Sequence, residues 1–173
     1  MKFTRVAVIF AVFLALVVNA QAASTKVAKP APYIGGKLGL MMVDGSGFDD
    51  AINAGILVGI PINQVEVGSF AAEAELTLTL VDGELPGGSD WDILTLAGYG
   101  VYRSKGPIYF KGKAGLVMWD FNRSGFGGSY DEIDLSVGIG GGMKLNAKTA
   151  LELEYTVIES DIDFLSFGFK MNF

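Results

Sequence analysis

The sequence predicts an all-β fold: an eight-stranded antiparallel up-and-down transmembrane β-barrel, with its apolar face turned out to the bilayer. Three observations carry this. Beyond residue 32, apolar and polar residues alternate with a period of two, the pattern of strands rather than helices. The connections alternate between tight turns and longer Gly- and Asp-rich loops, as in a barrel with turns at one rim and loops at the other. The polar face is rich in glycine, which a narrow lumen can use and a solvated sheet exterior cannot.

Composition narrows the function. The chain has 173 residues, a one-domain length. It has no Cys and no His, which removes disulfides, thiolate nucleophiles and the commonest general base and zinc ligand. Charged residues are 18%, hydrophobic residues 50%, and the net charge of −6 argues against a nucleic-acid partner.

Residues 1–22 read as a cleaved signal peptide. Lys2 and Arg5 precede an uncharged apolar run over 6–18, and Ala20-Gln21-Ala22 supplies the small-x-small cleavage pattern after Ala22. The run is too short for a spanning helix, which needs about 20 residues. Residues 23–32 form a flexible periplasmic tail, and 33–173 the barrel.

The strands follow in order. Over 34–42, Leu38, Leu40 and Met42 oppose Lys37. Over 52–62, Ile52, Ile56, Val58, Ile60 and Ile62 oppose Asn53, Gly55 and Gly59. Over 70–80, Phe70, Leu76, Leu78 and Leu80 oppose Glu73, Glu75, Thr77 and Thr79. Residues 91–102 offer two parities, and we assign Ile93, Tyr99 and Val101 to the apolar outer face because this puts Gly98 and Gly100 on the polar face. Over 108–118, Ile108, Phe110, Leu116 and Met118 oppose Tyr109, Lys111 and Lys113. Over 133–145, Ile133, Leu135, Val137 and Ile139 oppose Asp134, Ser136, Gly138, Gly140 and Gly142. Over 151–157, Leu151, Leu153, Tyr155 and Val157 oppose Glu152, Glu154 and Thr156. Over 165–173, Leu165, Phe167, Phe169, Met171 and Phe173 oppose Ser166, Gly168, Lys170 and Asn172. The loops span 44–50, 82–90, 120–131 and 159–161.

The polarity of the wall follows from three features. Lumenal glycines leave room for longer side chains from across the barrel. A secretory signal without cysteine fits a periplasmic route. The last outward run, 165–173, gives roughly 20 Å of height at ~3.3 Å per residue and a tilt near 40°, close to the ~25 Å apolar band. Both termini are expected in the periplasm.

The final segment, Ser166-Phe167-Gly168-Phe169-Lys170-Met171-Asn172-Phe173, resembles the C-terminal assembly signal of bacterial outer-membrane proteins, with Ser166, Gly168, Met171 and Phe173 at its defining positions. More broadly, residues 33–173 resemble the small OmpA-like outer-membrane barrels of the porin and opacity-type families. Pro107-Ile108-Tyr109, Gly138-Ile139-Gly140-Gly141-Gly142 and Leu153-Glu154-Tyr155 are similar to that family. The resemblance implies recognition by the barrel assembly machinery and residence in the cell outer membrane among lipid and lipopolysaccharide. With the sequence ending at Phe173, a peptidoglycan-binding extension is not expected.

With the apolar face outward, Lys37, Glu73, Glu75, Lys111, Lys113, Glu152 and Glu154 point into the lumen, all on odd-numbered strands. Four carboxylates and three ammonium groups in a narrow interior are expected to pair, because an unpaired buried charge is costly. An acid/base role for Glu73 and Glu75 is rejected, since lysines hold them ionised and no nucleophile accompanies them. No cofactor or metal is implied, since no loop has the spacing of a calcium site. The acidic loops read as solvated, with divalent-cation bridging to lipopolysaccharide as the sharper alternative. Trp91, Trp119, Tyr99, Tyr109 and Phe121 are candidates for interfacial girdles. The expected function is a non-enzymatic outer-membrane barrel that supports envelope integrity. The alternatives are a narrow pore for small solutes or ions, and a surface adhesin. Oligomeric state is open.

Overall fold

The computed structural model describes residues 31–123 and 129–173, with the backbone alone for Arg123 and residues 129–131. The expected signal peptide with Ala20 and Ala22, and nearly all of the expected tail, lie outside the described residues.

Eight long strands form the wall: β1 (Tyr33–Val43), β2 (Ala51–Val65), β3 (Gly68–Val81), β4 (Asp90–Ser104), β5 (Ile108–Arg123), β6 (Ser129–Lys144), β7 (Thr149–Glu159) and β8 (Ile162–Asn172). Each pairs antiparallel with its sequence neighbours. β8 returns to β1, from Tyr33 opposite Asn172 to Val43 opposite Ile162, and this closes the barrel. A two-residue ladder, Gly83–Glu84 against Trp91 and Asp90, decorates the loop rim. Closure removes the unpaired edge that lipid would not tolerate. Pro61, which has no N–H to give a ladder, sits at a register shift in β2.

The side chains divide as a membrane barrel requires. Leu38, Ile56, Leu116, Leu135, Leu153 and Phe167 are exposed on the outside, while Lys37, Glu73, Lys111 and Glu154 are buried inside. Thus the alternation expected for seven strands matches the wall. β4 is the correction. Ile93, Tyr99 and Val101 are buried in the lumen, and Leu94, Leu96, Gly98 and Gly100 face outward. The parity is fixed by Arg103, which shares a face with Val101 and meets carboxylates of β3 and β7. Glycine was the wrong guide here, because Gly98 and Gly100 lie on the lipid side.

The long hairpin also differs from expectation. Asp120 pairs with Asp131, Phe121 with Tyr130 and Asn122 with Ser129, so β5 and β6 continue through most of the expected loop 120–131. At 16 residues each they exceed the roughly 9–11 needed to cross a bilayer, so this hairpin projects beyond the apolar band.

The interior is layered. At the loop end lies an apolar plug of Met41, Trp91, Ile93, Phe121, Ile158 and Phe164, with Phe48 and Leu85 from two loops packed on it. Trp91 stacks on Phe121 at 5.4 Å between ring centroids and donates its indole N–H to the Asp49 carbonyl at 3.2 Å. The Asp49 amide donates to the Glu84 carbonyl at 2.9 Å, tying these two loops together. This places Trp91, Tyr99, Tyr109 and Phe121 inside the barrel and not in a girdle; Trp119 is half-buried on the same face and donates to Asp134 at 2.7 Å.

One glycine marks how tightly the wall is coiled. A Cβ on Gly115 would overlap the Gly98 carbonyl on the adjacent strand and lie 2.8 Å from the Tyr99 Cα. Backbone cannot step aside cheaply, so Gly115→Ala is expected to lower stability by about 1–3 kcal/mol. Gly100→Ala, whose Cβ would meet only the Ala114 carbonyl at 3.8 Å, is expected to stay within about 0.5 kcal/mol of wild type. Urea titration of the folded barrel in lipid vesicles compares the two.

Candidate functional site in the lumen

Below the apolar plug the strands build an ionic layer, and the cross-strand register explains its residue types. The large lumenal side chains face glycines across the ladder: Tyr33 opposite Gly59, Lys37 opposite Gly55 and Gly168, Lys111 opposite Gly140, Lys113 opposite Gly138. Tyr109 and Glu152 both oppose Gly142. Several of these side chains lie along the wall over the neighbouring glycine: a Cβ at Gly59 would strike the Tyr33 ring, one at Gly142 the Tyr109 ring and one at Gly138 the Lys113 chain. The room is therefore used by the adjacent strand, not by residues across the barrel.

Within this frame the seven charges named from the sequence come together. Lys37 Nζ lies 2.5 Å from Glu75 Oε2 and 3.3 Å from Glu154 Oε1. Lys113 Nζ bridges the same two carboxylates at 2.8 and 2.7 Å. Lys111 Nζ sits among three, at 2.6 Å from Glu154, 3.1 Å from Glu152 and 3.3 Å from Glu73. An eighth charge, Arg103, was missed. It donates from Nη2 to Glu73 at 2.5 Å and from Nε to Glu152 at 2.8 Å. The strand read from the sequence over 91–102 stops one residue short of it, and the expected lumenal charges all lie on odd strands; Arg103 ends the lumenal face of β4. The surplus of carboxylates over ammonium groups was the signal that could have found it. With Arg103 included, four cations meet four anions.

Neutral groups complete the layer. Tyr33 donates its hydroxyl to Glu73 at 2.7 Å and accepts from Arg103 at 2.9 Å. Tyr109 donates to Glu152 at 2.7 Å, and Thr156 to Glu154 at 3.0 Å. Lys113 Nζ stands 4.0 Å above the Tyr99 ring, a cation–π contact. A small cavity of about 10 Å³ beside Lys111, Glu152, Glu154 and Ser166 is at the threshold for one water.

Removing the Tyr33 hydroxyl leaves Glu73 and Arg103 each short of a partner in a buried site. Tyr33→Phe is expected to cost about 1–3 kcal/mol, read as a lower urea midpoint with an unchanged slope.

The terminal segment divides between the two faces. Ser166 and Gly168 point inward, Ser166 opposite Glu154 and Gly168 opposite Lys37, while Met171 and Phe173 are exposed outside. Among the described residues, no group of three or more acidic side chains is placed to hold a metal ion.

Comparison with known families decides the kinship. Residues 8–173 match the model of the outer membrane protein beta-barrel domain. The chain belongs to this family. Its barrel is thus an integral outer-membrane barrel, and the charges described above stand inside it. No curated protein matches the chain. Among solved structures it is similar to Neisserial surface protein A (NspA), with TM-score 0.59 and 15% identity over 82% of this chain and 97% of that one. It is similar to Ail, the attachment invasion locus protein of Yersinia pestis, with TM-score 0.55 and 15% identity over 84% and 99%. It is also similar to the outer membrane enzyme PagL, with TM-score 0.53 and 16% identity over 82% and 99%. At these identities the likeness to solved structures concerns the fold alone.

Proposed function

We propose that this member of the outer membrane protein beta-barrel family is a structural, non-enzymatic barrel that contributes to envelope integrity and does not conduct. Its termini lie in the periplasm, and β8 with Phe173 presents the strand that the assembly machinery reads.

The observation that supports this reading most is the mutual pairing of Lys37, Arg103, Lys111 and Lys113 with Glu73, Glu75, Glu152 and Glu154. An eight-stranded barrel has an interior only wide enough for side chains to fill. Here the filling is ionic through the middle and apolar at the loop end. An ion entering would have to displace a paired charge, then pass Trp91 and Phe121. The carboxylates are each engaged by a cation, which supports a scaffold over an acid/base pair.

Single-channel recording on the protein in a planar bilayer tests this. Silence from folded protein is expected. Steady, reproducible openings would replace the closed barrel with a pore whose gate is the ionic layer.

A further inference from the structure

The two rims of the barrel carry opposite charge, and the turn rim has the composition of a lipid-headgroup site. At the loop rim the described residues include acids from three loops and from the long hairpin, such as Asp44, Asp82, Asp161 and Glu132. At the turn rim stand Lys105, Lys144, Lys148 and Lys170, with Glu66 as the counter-charge in the turns. Among the described residues none of these four lysines has a carboxylate within ion-pair distance, whereas the four lumenal cations all do. Lys105, Lys144 and Lys148 are exposed.

Backbone hydrogen bonds hold these lysines on consecutive sectors of one rim. The Lys105 amide donates to the Val67 carbonyl at 3.0 Å, the Lys144 amide to Pro107 at 2.8 Å and the Asn172 amide to Lys148 at 2.8 Å. Asn146 fixes the turn between the last two lysines, its side-chain oxygen accepting from the Lys148 and Thr149 amides at 2.8 and 2.9 Å. Just inside the rim, on the outer wall, lie Val67, Ile108, Leu145 and Phe173, all more than half exposed. Cations whose backbone is fixed at the rim, above exposed apolar residues of the wall, match a phospholipid in both its parts, a phosphate above and acyl chains below.

We infer that the turn rim, through Lys105, Lys144 and Lys148, binds anionic phospholipid of the leaflet it faces. A lysine near an anionic surface is worth about a fivefold preference at low salt, and this falls as salt screens it. The site is independent of whether the lumen conducts.

The test uses the protein purified from outer membranes and placed in micelles holding equal phosphatidylglycerol and phosphatidylcholine, with bound lipid counted by native mass spectrometry. Phosphatidylglycerol is expected to be retained over phosphatidylcholine by about tenfold, and the preference to shrink at high salt. It is expected to vanish in K105Q/K144Q/K148Q and to return in K105R/K144R/K148R, with both variants checked for barrel folding by gel migration before and after heating. Equal retention of the two lipids by wild type would overturn the inference. So would a preference that survives the glutamine variant, or displacement of the lipid by millimolar inorganic phosphate, which would leave no part for the apolar wall.

Discussion

Lys111→Met is expected to destabilise the barrel by about 3–5 kcal/mol. Lys111 is 2% exposed and stands within 3.3 Å of three carboxylates, more than any other lumenal cation. The substitution keeps the length of the side chain and removes only its charge. It leaves Glu73, Glu152 and Glu154 facing one another with Arg103, Lys113 and Lys37 as their remaining close cations. Urea titration in vesicles gives the free energy. Adding Glu154→Gln restores charge balance, and the double variant is expected to recover about 0.5–3 kcal/mol of the loss. A single-variant loss below about 1 kcal/mol would mean that water reaches the layer and screens it, and the closed-lumen reading would fall with that result.

The second large effect is expected from Trp91→Ala, at about 3–5 kcal/mol. Trp91 is 1% exposed, stacks on Phe121 and ties the 44–50 loop to the wall through the Asp49 carbonyl. Removing it opens a cavity under Phe48 and Leu85, the two loop residues that rest on the plug. Trp91→Phe keeps an aromatic ring against Phe121 and loses the N–H donor and the second ring, so a smaller loss of about 1–3 kcal/mol is expected there. Near-equal losses in the two variants would show that a ring stacked on Phe121 contributes little to the plug.

Most of the fold was legible because a barrel wall enforces a period of two on every strand. Where one parity is apolar and the other charged, as in β3 or β7, the face could be read directly. β4 was not legible. Both its parities hold apolar residues, because its lumenal face crosses the apolar plug at Trp91 and Ile93 before it reaches Arg103. What settles its face is contact with Glu73 and Glu152, which lie 30 residues before and 49 residues after Arg103 in the chain. Local periodicity cannot carry information of that range. The same plug explains the aromatic residues. Tryptophan and tyrosine suit a membrane interface by composition, but Trp91 and Tyr99 share parity with Arg103 and follow it inside. The lumenal charges were legible residue by residue, whereas their balance was not until Arg103 joined them.

The distribution of these charges along the chain has a bearing on how the barrel enters the membrane. Strands β1 to β4 bring Lys37, Glu73, Glu75 and Arg103, two of each sign; strands β5 to β8 bring Lys111, Lys113, Glu152 and Glu154, again two of each sign. Counted over these eight charges of the ionic layer, each half of the polypeptide is therefore electroneutral before the other arrives. Lys37 with Glu75 and Arg103 with Glu73 pair within the first half, and Lys111 and Lys113 with Glu154 within the second. A growing sheet can thus be fed into lipid as two four-stranded instalments whose shares of the ionic layer carry no net charge. The bonds that join the halves, Lys37 to Glu154, Arg103 to Glu152, Lys111 to Glu73 and Lys113 to Glu75, act as the clasp when the seam closes. Separately expressed halves, cut in the turn at residues 105–107, should find each other and complement into one barrel.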